Sequence, residues 1–93
     1  MALLQDKVIL VTGGSTGIGR ATARILSAEG ATVVIADVQD EEGAKTVKMV
    51  TDAGGKAAYA HVDVGDYDAV SAAIATIVDE HGALDGAFNN AGI

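Results

Sequence analysis

The sequence predicts an α/β domain on a doubly wound parallel sheet, with elements in the order β-α-β-α-β-α-β. Short β-branched runs alternate with longer amphipathic stretches, glycine stands at nearly every junction, and prolines are absent. Strands joined through helices run parallel, and right-handed crossovers set a spatial order of 3-2-1-4. The fourth strand is then expected at an unpaired edge.

Val8-Ile9-Leu10-Val11 is a continuous apolar run ending in Thr12 and glycines, as expected of a strand buried on both faces. Residues 18–29 form a helix with a stripe of Ile18, Thr22, Ile25 and Leu26, and Gly30 sits where a left-handed C-terminal cap belongs. Thr32 to Ala36 reads as a second buried strand with Asp37 at its carboxyl end. Asp40 is placed to cap the next helix, with Glu41 and Glu42 in its first turn, Ala44, Val47 and Val50 on one face, and Gly54-Gly55 as its stop. Residues 57–62 give a weaker third strand carrying Tyr59. Residues 66–81 give the most regular helix, with Val70, Ala73, Ile74, Ile77 and Val78 at amphipathic spacing before Gly82. Residues 84–89 supply the fourth strand.

The 93 residues are 49% apolar, 20% charged and 3% aromatic, the composition of one soluble globular domain spanning 1–93. Six Lys and Arg against thirteen Asp and Glu leave a net charge of −7 with no basic run, which argues against a nucleic-acid partner. The absence of cysteine removes disulfides, thiolate metal sites and a cysteine nucleophile together. Met1-Ala2-Leu3-Leu4-Gln5-Asp6 lacks the apolar stretch of a secretory signal, and no later run can span a bilayer, so a cytoplasmic protein without membrane association is expected.

Thr12-Gly13-Gly14-Ser15-Thr16-Gly17-Ile18-Gly19 lies between a strand and a helix, the context in which a glycine-rich loop cradles phosphate. Gly13 can take the positive φ of a tight turn, Gly17 lets the backbone approach a pyrophosphate, and Gly19 allows the helix to pack close to the strand. The helix N-terminus around Thr16 to Gly19 then offers free amides to an anion without a lysine, and Ser15 can add a hydroxyl. Asp37, eighteen residues after Gly19, can accept both hydroxyl protons of an adenosine ribose and would repel a 2′-phosphate. Thr16 and Val38 are uncharged, so neither supplies the cation a 2′-phosphate requires, and NAD is favoured over NADP.

His61 and His81 lack the neighbours of a metal site, and no metal is expected. Tyr59 and Tyr67 read as packing residues, because no Lys follows either at one helical turn. Glu41-Glu42 and Asp79-Glu80 read as exposed helix faces.

These residues resemble the short-chain dehydrogenase/reductase family, NAD(P)-dependent oxidoreductases on a Rossmann-type fold. The loop 12–19 matches that family's TGxxxGxG motif, Asp63-Val64 resembles its adenine contact, and Asn89-Asn90-Ala91-Gly92 matches its NNAG signature. The resemblance implies that Asp63 reaches the adenine amino group, that Val64 contributes a backbone amide, and that Asn90, Ala91 and Gly92 line the nucleotide ribose. It also implies hydride transfer between nicotinamide and a carbinol or carbonyl carbon of a small-molecule alcohol or ketone, in a homo-oligomeric parent.

The family's catalytic Asn, Ser and Tyr-xxx-Lys pair follow the NNAG segment, so no catalytic residue is assigned here. The chain is therefore expected to be the N-terminal cofactor-binding half of a larger enzyme, apparently truncated after NNAG. A stand-alone, non-catalytic nucleotide-binding or scaffolding module is the alternative. A methyltransferase-type fold would share Asp37 but not NNAG.

Overall fold

The structure, a computed structural model, describes residues 3–90. Its elements follow the predicted order: β1 (Val8–Thr12), α1 (Gly17–Ala28), β2 (Thr32–Asp37), α2 (Asp40–Asp52), β3 (Lys56–His61), α3 (Tyr67–His81) and β4 (Gly86–Asn89). The strands form one parallel sheet in the order β3-β2-β1-β4. Thr12 pairs in register with both Ala36 and Asn89, and Asp37 with His61, so the carboxyl ends of all four strands open on one side.

Alternation along β1 and β2 feeds two separate cores. Val8, Leu10, Val34 and Ala36 face α3, where they pack with Val62 and Ile77. Val11, Val33 and Ile35 face α1 and α2 and pack with Ala23 and Val50. Burial on both faces is why β1 and β2 are continuously apolar instead of alternating.

The helical faces differ in detail from the periodicity. In α1 the buried line runs through Gly19 and Ala23, whereas Ile18 and Ile25 are 67% and 65% exposed. Close approach of the helix to the glycine loop requires small residues on its inner side, and this rotates the larger apolar ones outward. In α2 the buried residues are Gly43, Thr46 and Val50, and Ala44 is exposed, because the Tyr59 ring of β3 lies against Gly43.

Asp66 caps α3 by accepting from the Ala69 amide at 3.2 Å, and Gly82 ends the helix in the left-handed region at φ +83°. Asp40 does not cap α2. Gln39 holds that position without a side-chain bond, and the Asp40 carboxylate meets β3 instead. Although β4 starts at Gly86 rather than 84, Asp85 is already fastened to β1. Its amide donates to the Val8 carbonyl and its Oδ2 accepts from the Val8 amide, both at 2.8 Å. Among the described residues β4 is an edge, paired with β1 alone.

Candidate functional site

The loop leaving β1 turns across the carboxyl end of β2, where the Gly13 amide donates to the Ala36 carbonyl at 2.9 Å. Gly13 and Gly17 occupy the left-handed region at φ +65° and +56°. Gly14 rests on Ile35 and Val11, and a Cβ there would come within 2.8 Å of Ile35 Cγ2. A Cβ at Gly19 would drive into the Gly13 carbonyl, so this glycine seats α1 against the loop itself rather than against β1. At Gly17 the same construction meets nothing within 4 Å, leaving the backbone open to an approaching group.

Thr16 stands at the N-cap of α1 without a side-chain capping bond, and the first turn carries no acid. Among the described residues, no acid of the helix's own first turn and no capping side chain offsets its positive end. Ser15 is fully buried, and its hydroxyl has no hydrogen-bond partner, while its amide donates to Asp37 Oδ2 at 3.3 Å. Its place is behind the loop surface, where it joins the loop to the end of β2.

The other Asp37 oxygen accepts from the Val38 amide at 2.7 Å. Partial burial pushes the Asp37 carboxyl up, but hydrogen bonds from Val38, Ser15 and the Gln39 amide outweigh this and hold it below the ordinary 3.8. An ionised, half-buried carboxylate that accepts only is therefore fixed at the mouth of the crevice. One cleft brings together Gly13, Asp37, Val38, Asp63 and Val64, with Ala36 and Val62 at its base. Val38 and Val64 form exposed apolar rims, 51% and 37% accessible. Asp63 Oδ1 accepts from the Gly65 amide at 2.9 Å, which shapes the turn after β3.

The fourth strand is latched onto the same loop. Thr12 Oγ1 donates to Asn89 Oδ1 and accepts from the Asn90 amide, each at 3.0 Å, and Asn90 Nδ2 donates to the Gly13 carbonyl at 3.3 Å. Asn90 is thereby bound to the glycine loop, a contact not foreseen in its expected ribose-lining role, and Ala91 and Gly92 lie outside the described residues. Thr12 and Asn89 fall within the two motifs read from the sequence, but the sequence assigned neither a role, and the structure makes both part of the latch. Their pairing depends on the β1–β4 register, which no local pattern carries.

Tyr59 packs on Gly43, whereas Tyr67, also read as a packing residue, is 83% exposed; Tyr59 further supports the Asp37 end of the crevice. Its hydroxyl lies 2.8 Å from the Asp37 carbonyl and 2.6 Å from Asp40 Oδ1, and His61 Nδ1 is 2.6 Å from that same oxygen. Burial, then the Asp40 carboxylate, raises the Tyr59 pKa well above its ordinary value, which removes the phenol as a general base. Glu42, read from sequence as exposed, is paired with Lys45 at 2.9 Å and with Arg20 at 3.0 Å. The Lys45 pair is legible as an i,i+3 spacing, but the Arg20 pair spans two helices.

Three carboxyls titrate below their ordinary values: Asp37 for the reasons given, Asp40 through Tyr59 and then His61, and Glu42 through Lys45 and then Arg20. A depressed folded pKa gives stability that is fully present above the unfolded value and is lost as pH falls through the folded one. The urea midpoint should stay level from neutral pH down to about 5 and fall once pH passes below the ordinary 4.5 and 3.8. A midpoint unchanged through that acid range would show that these contacts do not hold the fold.

A parallel sheet wound with helices on both faces, a glycine loop opening on a helix N-terminus, and an acid at the end of the second strand define a fold of the Rossmann type. The chain belongs to the short-chain dehydrogenase family, whose sequence profile matches residues 7–93. It is 48% identical over 93 residues to a 2,5-dichloro-2,5-cyclohexadiene-1,4-diol dehydrogenase of Sphingobium indicum, covering 100% of this chain and 36% of that protein. It is 46% identical to a 3beta-hydroxysteroid dehydrogenase of Mediterraneibacter gnavus, over 100% of this chain and 34% of that protein. Among solved structures, a metagenomic short-chain oxidoreductase in complex with NADP matches with a TM-score of 0.93 at 37% identity, covering 97% of this chain and 41% of that one. The chain spans about a third of the length of the curated relatives it matches.

Proposed function

We propose that residues 1–93 are the cofactor-binding half of an NAD-dependent oxidoreductase that interconverts a secondary alcohol and a ketone. The observation that carries this reading is Asp37, an ionised carboxylate tethered to the phosphate-side loop and opening on the cleft with Val38, Asp63 and Val64. The residues fit a dinucleotide. Gly17 leaves open space for a close approach, the amides of Thr16, Ile18 and Gly19 and their helix dipole suit a pyrophosphate, and Asp37 suits a ribose diol. Asp63 and Val64 would meet the adenine, and Asn90, Ala91 and Gly92 the ribose.

When bound, the nicotinamide supplies the hydride chemistry; the protein supplies orientation. The chain's own contribution is to hold one end of the cofactor: the loop fixes the phosphates, and Asp37 reads the unphosphorylated ribose. No catalytic residue is assigned within residues 1–93. NAD rather than NADP follows from the charge of Asp37 and from the uncharged Thr16 and Val38, although a structural relative was solved with NADP. The similarity to a diol dehydrogenase and a hydroxysteroid dehydrogenase supports a small hydroxylated substrate. A cytoplasmic homo-oligomer that engages neither nucleic acid nor membrane completes the proposal.

Calorimetric titration of the protein with NAD and NADP tests it, followed by nicotinamide absorbance in the presence of secondary alcohols. NAD should bind at least about tenfold more tightly than NADP. Equal affinities, or a preference for NADP, would overturn the cofactor assignment.

A further inference from the structure

Thr46 is fully buried within α2, on the side of the glycine loop away from the open crevice. Its Oγ1 accepts from Arg20 Nε at 2.9 Å and directs its single proton toward the Ser15 carbonyl at 3.2 Å or the Glu42 carbonyl at 3.3 Å. The threonines of exposed helix surfaces behave differently. Thr51 and Thr76 bond back to the carbonyls of Val47 and Ala72 at 3.0 Å and reach no other element. Thr46 lengthens that local bond and spans to a different segment, 31 residues away in sequence.

Arg20 is consumed by the same arrangement. Its Nη2 donates to the Glu42 carbonyl and to Glu42 Oε2, both at 3.0 Å, while Nε holds Thr46. A cation in the first turn of α1 opposes the helix dipole, and the Glu42 carboxylate neutralises it there. The guanidinium therefore acts as a strut between α1 and α2 and aims the Thr46 hydroxyl at the loop.

We propose that Thr46, held by the Arg20–Glu42 pair, is a positioning residue for the pyrophosphate portion of the cofactor site, acting through the Ser15 carbonyl. In a trans peptide the carbonyl and the following N–H point to opposite sides. Drawing the Ser15 carbonyl toward α2 turns the Thr16 amide the other way, toward the open side of the loop at the α1 N-terminus. At the adenosine end Asp63 and Tyr59 do not touch Thr46, and Asp37 meets the loop through the Ser15 amide at 3.3 Å, which belongs to the peptide before the one whose carbonyl Thr46 holds. Loss of the hydroxyl should therefore separate the two ends of the site. This inference rests on the dinucleotide reading of the loop.

The test compares ADP with adenosine, because only ADP carries the pyrophosphate. Binding is followed by calorimetry for ADP and by amide chemical shifts for adenosine. Thr46→Val should weaken ADP about tenfold and leave adenosine within about twofold, and Thr46→Ser, which keeps the hydroxyl, should restore ADP binding. Equal weakening of both ligands, no loss of ADP binding, or a serine variant as weak as the valine one would overturn the proposal. Should the valine variant fail to fold, Glu42→Gln carries the same test, with ADP expected to weaken several-fold and adenosine to hold. Wild-type protein that binds ADP no better than adenosine would instead overturn the pyrophosphate site itself, a separate result from failure of the Thr46 variants.

Discussion

Replacing Gly19 by alanine is expected to abolish dinucleotide binding and to lower stability by about 2–3 kcal/mol. The added methyl would drive into the Gly13 carbonyl and lie 2.9 Å from Gly14 Cα, and both obstacles are backbone. Neither can rotate away as a side chain would. Either α1 lifts off the loop or the loop leaves the carboxyl end of β2, to which Gly13 is bonded at 2.9 Å. Affinity for NAD should fall at least about a hundredfold. Gly17→Ala is the matched control for stability alone: its Cβ meets nothing of the protein within 4 Å and its φ of +56° imposes about 1–2 kcal/mol of backbone strain, while the methyl would itself enter the space left for a cofactor. Thermal melts of the two variants distinguish collision from strain, and calorimetric titration of Gly19→Ala measures the loss of NAD affinity. A Gly19→Ala protein that bound NAD normally would mean that the loop is not fixed by its contact with α1.

Asp37→Ala should weaken NAD by roughly tenfold to a hundredfold, the range expected for losing hydrogen bonds to a charged acceptor. NADP should not weaken in parallel, because the same change relieves repulsion of its 2′-phosphate. Ser15 and Val38 lose an acceptor in this variant, so Asp37→Asn is the better control: it keeps the shape and removes the charge. The ratio of NAD to NADP affinity, measured by competition, carries the result. If both cofactors lose affinity equally, Asp37 acts through the loop alone and does not read the ribose. Since its hydrogen bonds keep the carboxyl ionised at and below neutral pH, wild-type affinity for NAD, which has no 2′-phosphate to titrate, should be level from pH 6 to about 8.

The strand order and the meeting of Gly13 and Asp37 at one crevice were legible because they follow from local signals. Runs buried on both faces mark parallel strands, glycines mark junctions, and an acid at a strand end has a fixed relation to the preceding loop. The outward turn of Ile18 and Ile25 was not legible, because periodicity gives a face but not how closely a helix sits on its neighbour. Asp40 looked like a cap, but its carboxylate went to Tyr59 and His61 on a strand that follows it in the chain. Ser15 looked like a surface hydroxyl and is enclosed. Thr12, Arg20, Glu42 and Thr46 escaped for a shared reason, since each contributes through contacts between elements distant in sequence.

The Thr12 latch also sets the order in which this site can be made. Thr12 and Gly13 emerge early in synthesis, yet their partners Asn89 and Asn90 are 77 and 78 residues further along the chain. The Val8 amide likewise waits 77 residues for the Asp85 carboxylate. Helices and the β1–β2 pair can form from nearer contacts, whereas the bonds from β4 close the longest loops in the described chain and come late for that reason. A nascent chain stopped before residue 85 would hold the glycine-rich segment without its latch, and the loop would be fastened only when β4 clears the ribosome and docks beside β1.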